Sequence, residues 1–233
     1  MTKAASIQAV LQAHEQDLHP VVPFDPANDR LYPLDFTADN KSLSPDEIAD
    51  TESFAIWIKA TLREHGARYG IGGYGEHRTL YARSKHFDAG EEPRRLHLGI
   101  DIWGPAGTKI MAPLDGVVHS FGFNNNDSDY GATLILTHNL GDIGFHILYG
   151  HLSLNSIKNL YEGHHISKGD VIAEFGMRFE NGNWPPHLHF QMILDMEGWK
   201  GDYPGVCKFS ERERWLANCP DPDLVLRMMR CAR

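Results

Sequence analysis

Five residues in three short stretches carry the chemistry of this chain: His97 and Asp101 in HLGID, His151 in YGHLS, and His187 and His189 in PPHLHFQ. Two histidines and one carboxylate form a three-ligand set that leaves a fourth position open on a zinc ion. An open position separates a catalytic metal site from a structural one. Two further histidines beside such a set can carry protons or partner an oxyanion. The chemistry implied is metal-assisted hydrolysis.

These residues need elements that aim them at one point. Residues 187–194 are largely apolar and alternate at their start, which predicts a strand. In a strand, His187 and His189 share one face while Leu188 and Phe190 turn to a core. The His97–Asp101 pair is harder to place, because four residues of straight strand span roughly 13 Å and a zinc–ligand bond is only about 2 Å. A helix is disfavoured by Gly99 and by the β-branched Ile100 and Ile102. The expectation is a bend at Leu98–Gly99, permitted by the glycine, with His97 on a turn and Asp101 opening the next strand.

In these residues the chain resembles zinc metallopeptidases of the lysostaphin/LytM type, peptidoglycan endopeptidases whose motifs are H-x(3)-D, a histidine in Y-x-H-L, and H-x-H. The matches are His97 with Asp101, His151 in Tyr149–Ser153, and His187 with His189. Gly163–Gly176 (GHHISKGDVIAEFG) and the run from Pro105 to Val118 also resemble segments of that family. The likeness covers about residues 95–195. It implies a mainly β fold, with two antiparallel sheets forming a cleft, and zinc as the cofactor. By the same resemblance His97, Asp101 and His189 would bind the metal. His151 and His187 would be catalytic, acting on the substrate and the attacking water. The substrate implied is a peptide or peptidoglycan stem, cut at a cross-link or glycine-rich bond. Relatives can be held latent by a segment that fills the open metal position. Asp25, Asn28 and Asp29, in the proline-rich stretch from Pro20 to Asp35, are the available donors, and trimming residues 1–43 would then raise activity.

Two other readings use the same residues. A two-histidine, one-carboxylate triad holds non-haem iron in double-sheet oxygenases. Those enzymes space the first pair H-x-[DE], and they give no reason for His151 and His187. A non-catalytic binding module of the same fold is the other alternative, although such modules usually lose site residues and this chain keeps all five.

Composition sets the remaining bounds. With 233 residues and 42% hydrophobic content the chain can bury a substantial core. A net charge of −9 argues against a nucleic-acid partner. Cys207, Cys219 and Cys231 are odd in number and lack C-x-x-C spacing, so free thiols are expected. No run is apolar enough to span a membrane. Gln8 and Gln12 interrupt the first apolar stretch, so no signal peptide is visible and a cytoplasmic location is the default, with envelope action if the protein is exported.

Along the chain, residues 1–66 read as an N-terminal extension with a helix near 44–66, residues 67–200 as the zinc peptidase-like β domain, and 201–233 as a helical tail. Ser44-Pro45-Asp46-Glu47 is a capping box with proline at the first helical position. Phe54, Trp57, Ile58 and Leu62 continue that helix, which stops at Gly66. Residues 132–138 and 144–150 read as strands. Ser210-Glu211-Arg212-Glu213 is a second capping box, opening a helix that Pro220 ends. His14 and His19 fall five apart, on different faces of a helix, and do not make a helical zinc motif. His164 and His165 are expected in a solvated turn, and His119, His138 and His146 as ordinary, partly exposed sheet residues.

Overall fold

The computed structural model describes residues 3–83, 87 and 91–233. Its centre is an eight-stranded sheet. The strands are β1 (Leu31–Pro33), β2 (Tyr69–Gly72), β4 (Ile100–Trp103), β6 (Gly116–Asn124), β7 (Gly131–Leu140), β8 (Ile143–Leu152), β9 (His165–Ile166) and β11 (His187–Ile193). Their spatial order is β1-β2-β4-β11-β8-β7-β6-β9. Every pairing is antiparallel except β1 with β2, which is parallel. Two antiparallel ribbons complete the β structure: β5 (Lys109–Met111) with β10 (Val171–Glu174), and β3 (Arg94–His97) with β12 (Val206–Lys208). The mainly β class expected from the sequence is what the chain adopts. The two antiparallel sheets expected take the form of one large sheet and two ribbons.

β11 sits in the middle and is buried along its whole length. Leu188, Phe190 and Met192 enter the main core, together with Ile100 and Ile102 of β4 and Phe145, Ile147 and Tyr149 of β8. The opposite face of β11 carries His187, His189 and Gln191. Pairing sets their neighbours: His189 lies opposite Asp101, and His187 opposite Trp103.

The helical segments are α1 (Lys3–Ala13), α2 (Pro45–Ala49), α3 (Thr51–Glu64), α4 (Leu154–Ile157), α5 (Arg212–Asn218) and α6 (Asp223–Leu226). The Ser44 capping box forms as predicted, with side chain and backbone exchanged between Ser44 and Glu47. The single helix expected from 44 to 66 is broken at Asp50, which ends α2 and caps α3 by accepting from the Ser53 amide. The acidic side chain at that position favours a new N-terminus over continuation. Phe54, Ile58 and Leu62 then bury one face of α3 in a second core with Leu34, Phe36 and Trp103.

Two local readings change. The second capping box does not form, because the Ser210 hydroxyl and amide both bond the Glu92 carboxylate and α5 has no side-chain cap. His138 is fully buried rather than partly exposed, and its Nδ1–H donates to Asp115 O at 2.9 Å. His164 is stacked on Tyr161, and His165 belongs to β9. The three cysteines are free thiols. Among the described residues no helix is long and apolar enough to cross a membrane.

Candidate metal and catalytic site

β3 ends at His97, and Leu98–Gly99 carries the chain into β4, where Asp101 is the second residue. His97 is thus a strand end rather than a turn residue. Gly99 acts by close approach and not by an unusual φ. A Cβ there would lie 2.6 Å from Cε1 and 2.7 Å from Nε2 of His189, and 2.9 Å from the Phe190 carbonyl oxygen. Only glycine lets the His189 ring lie flat against this segment.

The result is a tight triangle of buried atoms. His97 Nε2 is 3.0 Å from His189 Nδ1, His189 Nδ1 is 3.1 Å from Asp101 Oδ1, and His97 Nε2 is 3.3 Å from Asp101 Oδ1. Each group is held from behind. His97 Nδ1–H donates to Gly73 O at 3.0 Å, and His189 Nε2–H donates to Gln191 Oε1 at 2.9 Å. The Arg78 guanidinium donates to Asp101 Oδ2. These partners assign the tautomers, and both imidazoles then turn bare lone pairs toward Asp101 Oδ1. Three acceptors facing each other with no donor between them call for a cation. Donor atoms bound to zinc at about 2.0–2.1 Å in a tetrahedral arrangement sit about 3.3 Å apart, so the donor set fits that ion. His97, Asp101 and His189 are also the group among the described residues whose ligand atoms converge closely enough to hold a metal.

Charge is arranged to keep the set open. Burial alone would raise the Asp101 carboxyl, but His97 and Arg78 hold it well below the usual carboxylate range. Burial pushes His97 down to about 4, and the Arg78 charge adds to the effect. Arg78 is itself buried, pairs with Glu76, and lies near the Tyr81 and Phe36 rings. Nothing in the spacing of the sequence marked this arginine as the partner of Asp101. Gln191 could have been found, since it continues the period-two face of His187 and His189.

His187 stacks flat on Trp103, with centroids 3.8 Å apart and planes at 11°. Its Nδ1–H donates to Pro185 O at 2.8 Å, which fixes the ring from the segment leading into the strand. His151 reaches the site by a different device. Along β8, Phe145, Ile147 and Tyr149 alternate into the main core, and strict alternation would send His151 there too. The register with β7 instead shifts between Ala132 and Leu134, and His151 takes φ of 62°. A bulge of this kind re-aims a side chain, and positive φ in a non-glycine residue is uncommon. His151 then lies 4.0 Å from His187, ring to ring, and its Nδ1–H donates to Asn181 O at 2.8 Å. Burial and the neighbouring His187 push His151 well below the usual histidine range, and burial takes His187 down to about 4. Both rings are neutral, with Nε2 left as the acceptor.

These groups line one cleft together with Arg78, Tyr81, Trp103, Tyr130, Trp184 and Tyr203. Trp184 is a buried wall of that cleft, set edge-on to Tyr81. The structure brings all five predicted residues together. It does not bring the expected latency donors. Asp25, Asn28 and Asp29 close on one another in a surface turn, Asp29 also pairs with Arg68, and none of them lines the cleft. The short polar side chains satisfy their own turn instead of reaching the metal position.

A metal-ready triad with two neutral histidines beside it, built on a central antiparallel strand, defines a hydrolase-type centre. Residues 95–200 match the description "Peptidase family M23", a likeness carried by this stretch of the chain. The chain is similar to the "DD-carboxypeptidase/endopeptidase Mpg" of Neisseria meningitidis serogroup B, 35% identical over 101 residues, or 43% of this chain and 21% of the relative. The corresponding protein of Neisseria gonorrhoeae is 33% identical over the same share. The chain therefore spans about a fifth of the length of the curated relatives it matches. Among solved structures, the catalytic domain of the antimicrobial peptidase lysostaphin from Staphylococcus simulans aligns over 69% of this chain and 96% of its own, at 21% identity and a TM-score of 0.41. A zinc-containing peptidase from Vibrio cholerae aligns over 42% of this chain and 27% of its own, at 27% identity and a TM-score of 0.34.

Proposed function

We propose that the chain is a zinc-dependent endopeptidase that hydrolyses a peptide bond of the peptidoglycan cross-link or glycine-rich type. The observation that carries this reading is the buried triangle of His97 Nε2, Asp101 Oδ1 and His189 Nδ1, of which Asp101 and His189 line a cleft shared with two neutral histidines. Zinc in that triangle would supply Lewis acidity to a scissile carbonyl and lower the pKa of water toward neutrality. The rest of the work belongs to the chain. His151 and His187 have committed Nδ1–H to main-chain carbonyls, so each offers Nε2 to take a proton from the attacking water. One of them can return that proton to the leaving amine. The aromatic walls hold the substrate strand and exclude solvent around the developing charge.

The M23 match favours the peptidase over the iron oxygenase, and retention of all five residues favours an enzyme over a binding module. The carboxypeptidase/endopeptidase activity for which the Neisseria relatives are named supports a peptidoglycan-type substrate. Such a substrate would put the working enzyme at the cell envelope.

The test is elemental analysis of protein purified without added metal, followed by hydrolysis assays on peptidoglycan and on glycine-rich peptides. The expected result is about one zinc per chain and cleavage, with both lost in His97→Ala, Asp101→Ala and His189→Ala. Iron in place of zinc would return the oxygenase reading. Zinc without cleavage of any cross-linked or glycine-rich peptide would leave a binding module.

A further inference from the structure

The geometry points to Gln191 as a positioning residue that selects the metal-binding tautomer of His189. This inference rests on the metal-site reading above and extends it to a residue that touches neither metal nor substrate. Gln191 lies two residues beyond His189 on the same face of β11 and is fully buried. Its amide nitrogen donates to Pro204 O at 3.1 Å and to Cys219 Sγ at 3.3 Å. A carbonyl oxygen can only accept, so the amide cannot turn over without setting two acceptors against each other. The amide oxygen is thereby fixed toward His189 Nε2, 2.9 Å away. That oxygen also only accepts, so Nε2 must carry the ring proton and Nδ1 must be bare.

The alternative is costly for function. Asp101 Oδ1 lies 3.1 Å from His189 Nδ1. A proton on Nδ1 would form a charge-assisted bond to that carboxylate and occupy two of the three metal donors at once. Among the described residues nothing else is placed to prevent it, because the Tyr130 hydroxyl is 3.4 Å from Nε2, too long to replace the glutamine. Gln191, anchored through Pro204 and Cys219, is what tips the ring toward the binding form. Partners of this kind behind a ligand histidine are typically worth about 10–100-fold in metal affinity.

The experiment measures zinc affinity by chelator competition in Gln191→Met and Gln191→Glu, with melting curves to confirm folding, and reads the His189 tautomer in metal-free protein from nitrogen-15 ring shifts. Gln191→Met should weaken zinc binding about 10–100-fold and shift the proton to Nδ1. Gln191→Glu, held as the neutral acid by burial, can donate its O–H to Pro204 O and keep an oxygen to accept from Nε2–H, and should retain more of the wild-type affinity than Gln191→Met. A role in packing alone would make the buried glutamate the worse of the two, so equal or greater loss in Gln191→Glu overturns the proposal. So does a folded Gln191→Met with wild-type affinity. If Gln191→Met does not fold, the unmodified metal-free protein decides, since an Nδ1–H tautomer at His189 overturns the proposal without any variant. A wild-type chain that takes up no zinc yet shows the Nε2–H tautomer would sink the peptidase reading and leave the tautomer assignment standing.

Discussion

His151 and His187 each spend one ring nitrogen on a main-chain carbonyl, so removing either imidazole takes away a base without disturbing the three metal donors. His151→Ala and His187→Ala should therefore keep about one zinc per chain while kcat falls by about 10²–10⁴. Zinc loss in either variant would make that histidine a ligand, and full activity in both would leave the mechanism without a proton carrier. Gly99 tests the site from the other direction. An alanine methyl would press on Cε1 and Nε2 of His189 and on the Phe190 carbonyl, so the ring must move away from the triangle. Gly99→Ala should weaken zinc binding by at least about tenfold, comparable to losing an outer-shell partner. Chelator competition giving wild-type affinity would show that the ring has slack here.

At the scale of elements, the site depends on what stands behind it. Phe54 of α3 packs at 5.6 Å from the Trp103 ring and at 5.8 Å from Phe36, and Trp103 carries the stacked His187. Phe54→Ala should cost about 3–5 kcal/mol. That lowers the melting temperature by roughly 6–20 °C at this chain length. Assayed below its new midpoint, the variant should also lose kcat while keeping zinc, because His187 loses its backing and the triad does not. An unchanged kcat would confine α3 to a scaffold role. The parts of this arrangement differ in how far the sequence reveals them. The shared face of His187 and His189 follows from strand periodicity, and the Ser44 cap from local chemistry. The bulge that turns His151 into the cleft comes from pairing with β7, which no pattern within β8 encodes. Arg78 is illegible for a similar reason, since its partners Asp101 and Tyr81 are set by tertiary packing. The Ser210 box failed because Glu92, far away in sequence, offers the hydroxyl a better partner than its own helix.

Across the whole molecule, both termini belong to the core that supports the site. Ile7, Leu11, Val21, Val22 and Leu31 pack with Val225, Leu226 and Met228 against the same strands that carry the triad, and Arg227 and Arg230 clasp Glu15. Deleting residues 1–43 should accordingly give no activated enzyme but a chain without a cooperative melt, with the edge of β2 uncovered. A soluble, folded and more active truncation would restore the latency idea. The same burial governs the response to acid. His97, His138, His151 and His187 are neutral in the fold because burial, the largest cause for each, pushes them down, to about 4 for His97 and His187. In the unfolded chain they titrate near 6.5. Between those values the unfolded state binds protons that the folded state refuses, so stability is whole above about pH 6.5 and is lost as pH falls toward about 4. Asp101 acts in a lower window, stabilising above 3.8 and failing only below it. His97 and His187 together amount to about 6 kcal/mol by about pH 4. Metal-free protein should thus melt progressively lower from about pH 7 to about pH 5, the decline steepening toward acid. Zinc should raise the curve at neutral pH and help least at the acid end, because protons compete with the metal for its ligand atoms. A flat melting profile over that range in chelated protein would mean that these histidines charge freely within the fold, and that the neutral pair proposed as bases is not held neutral by its surroundings.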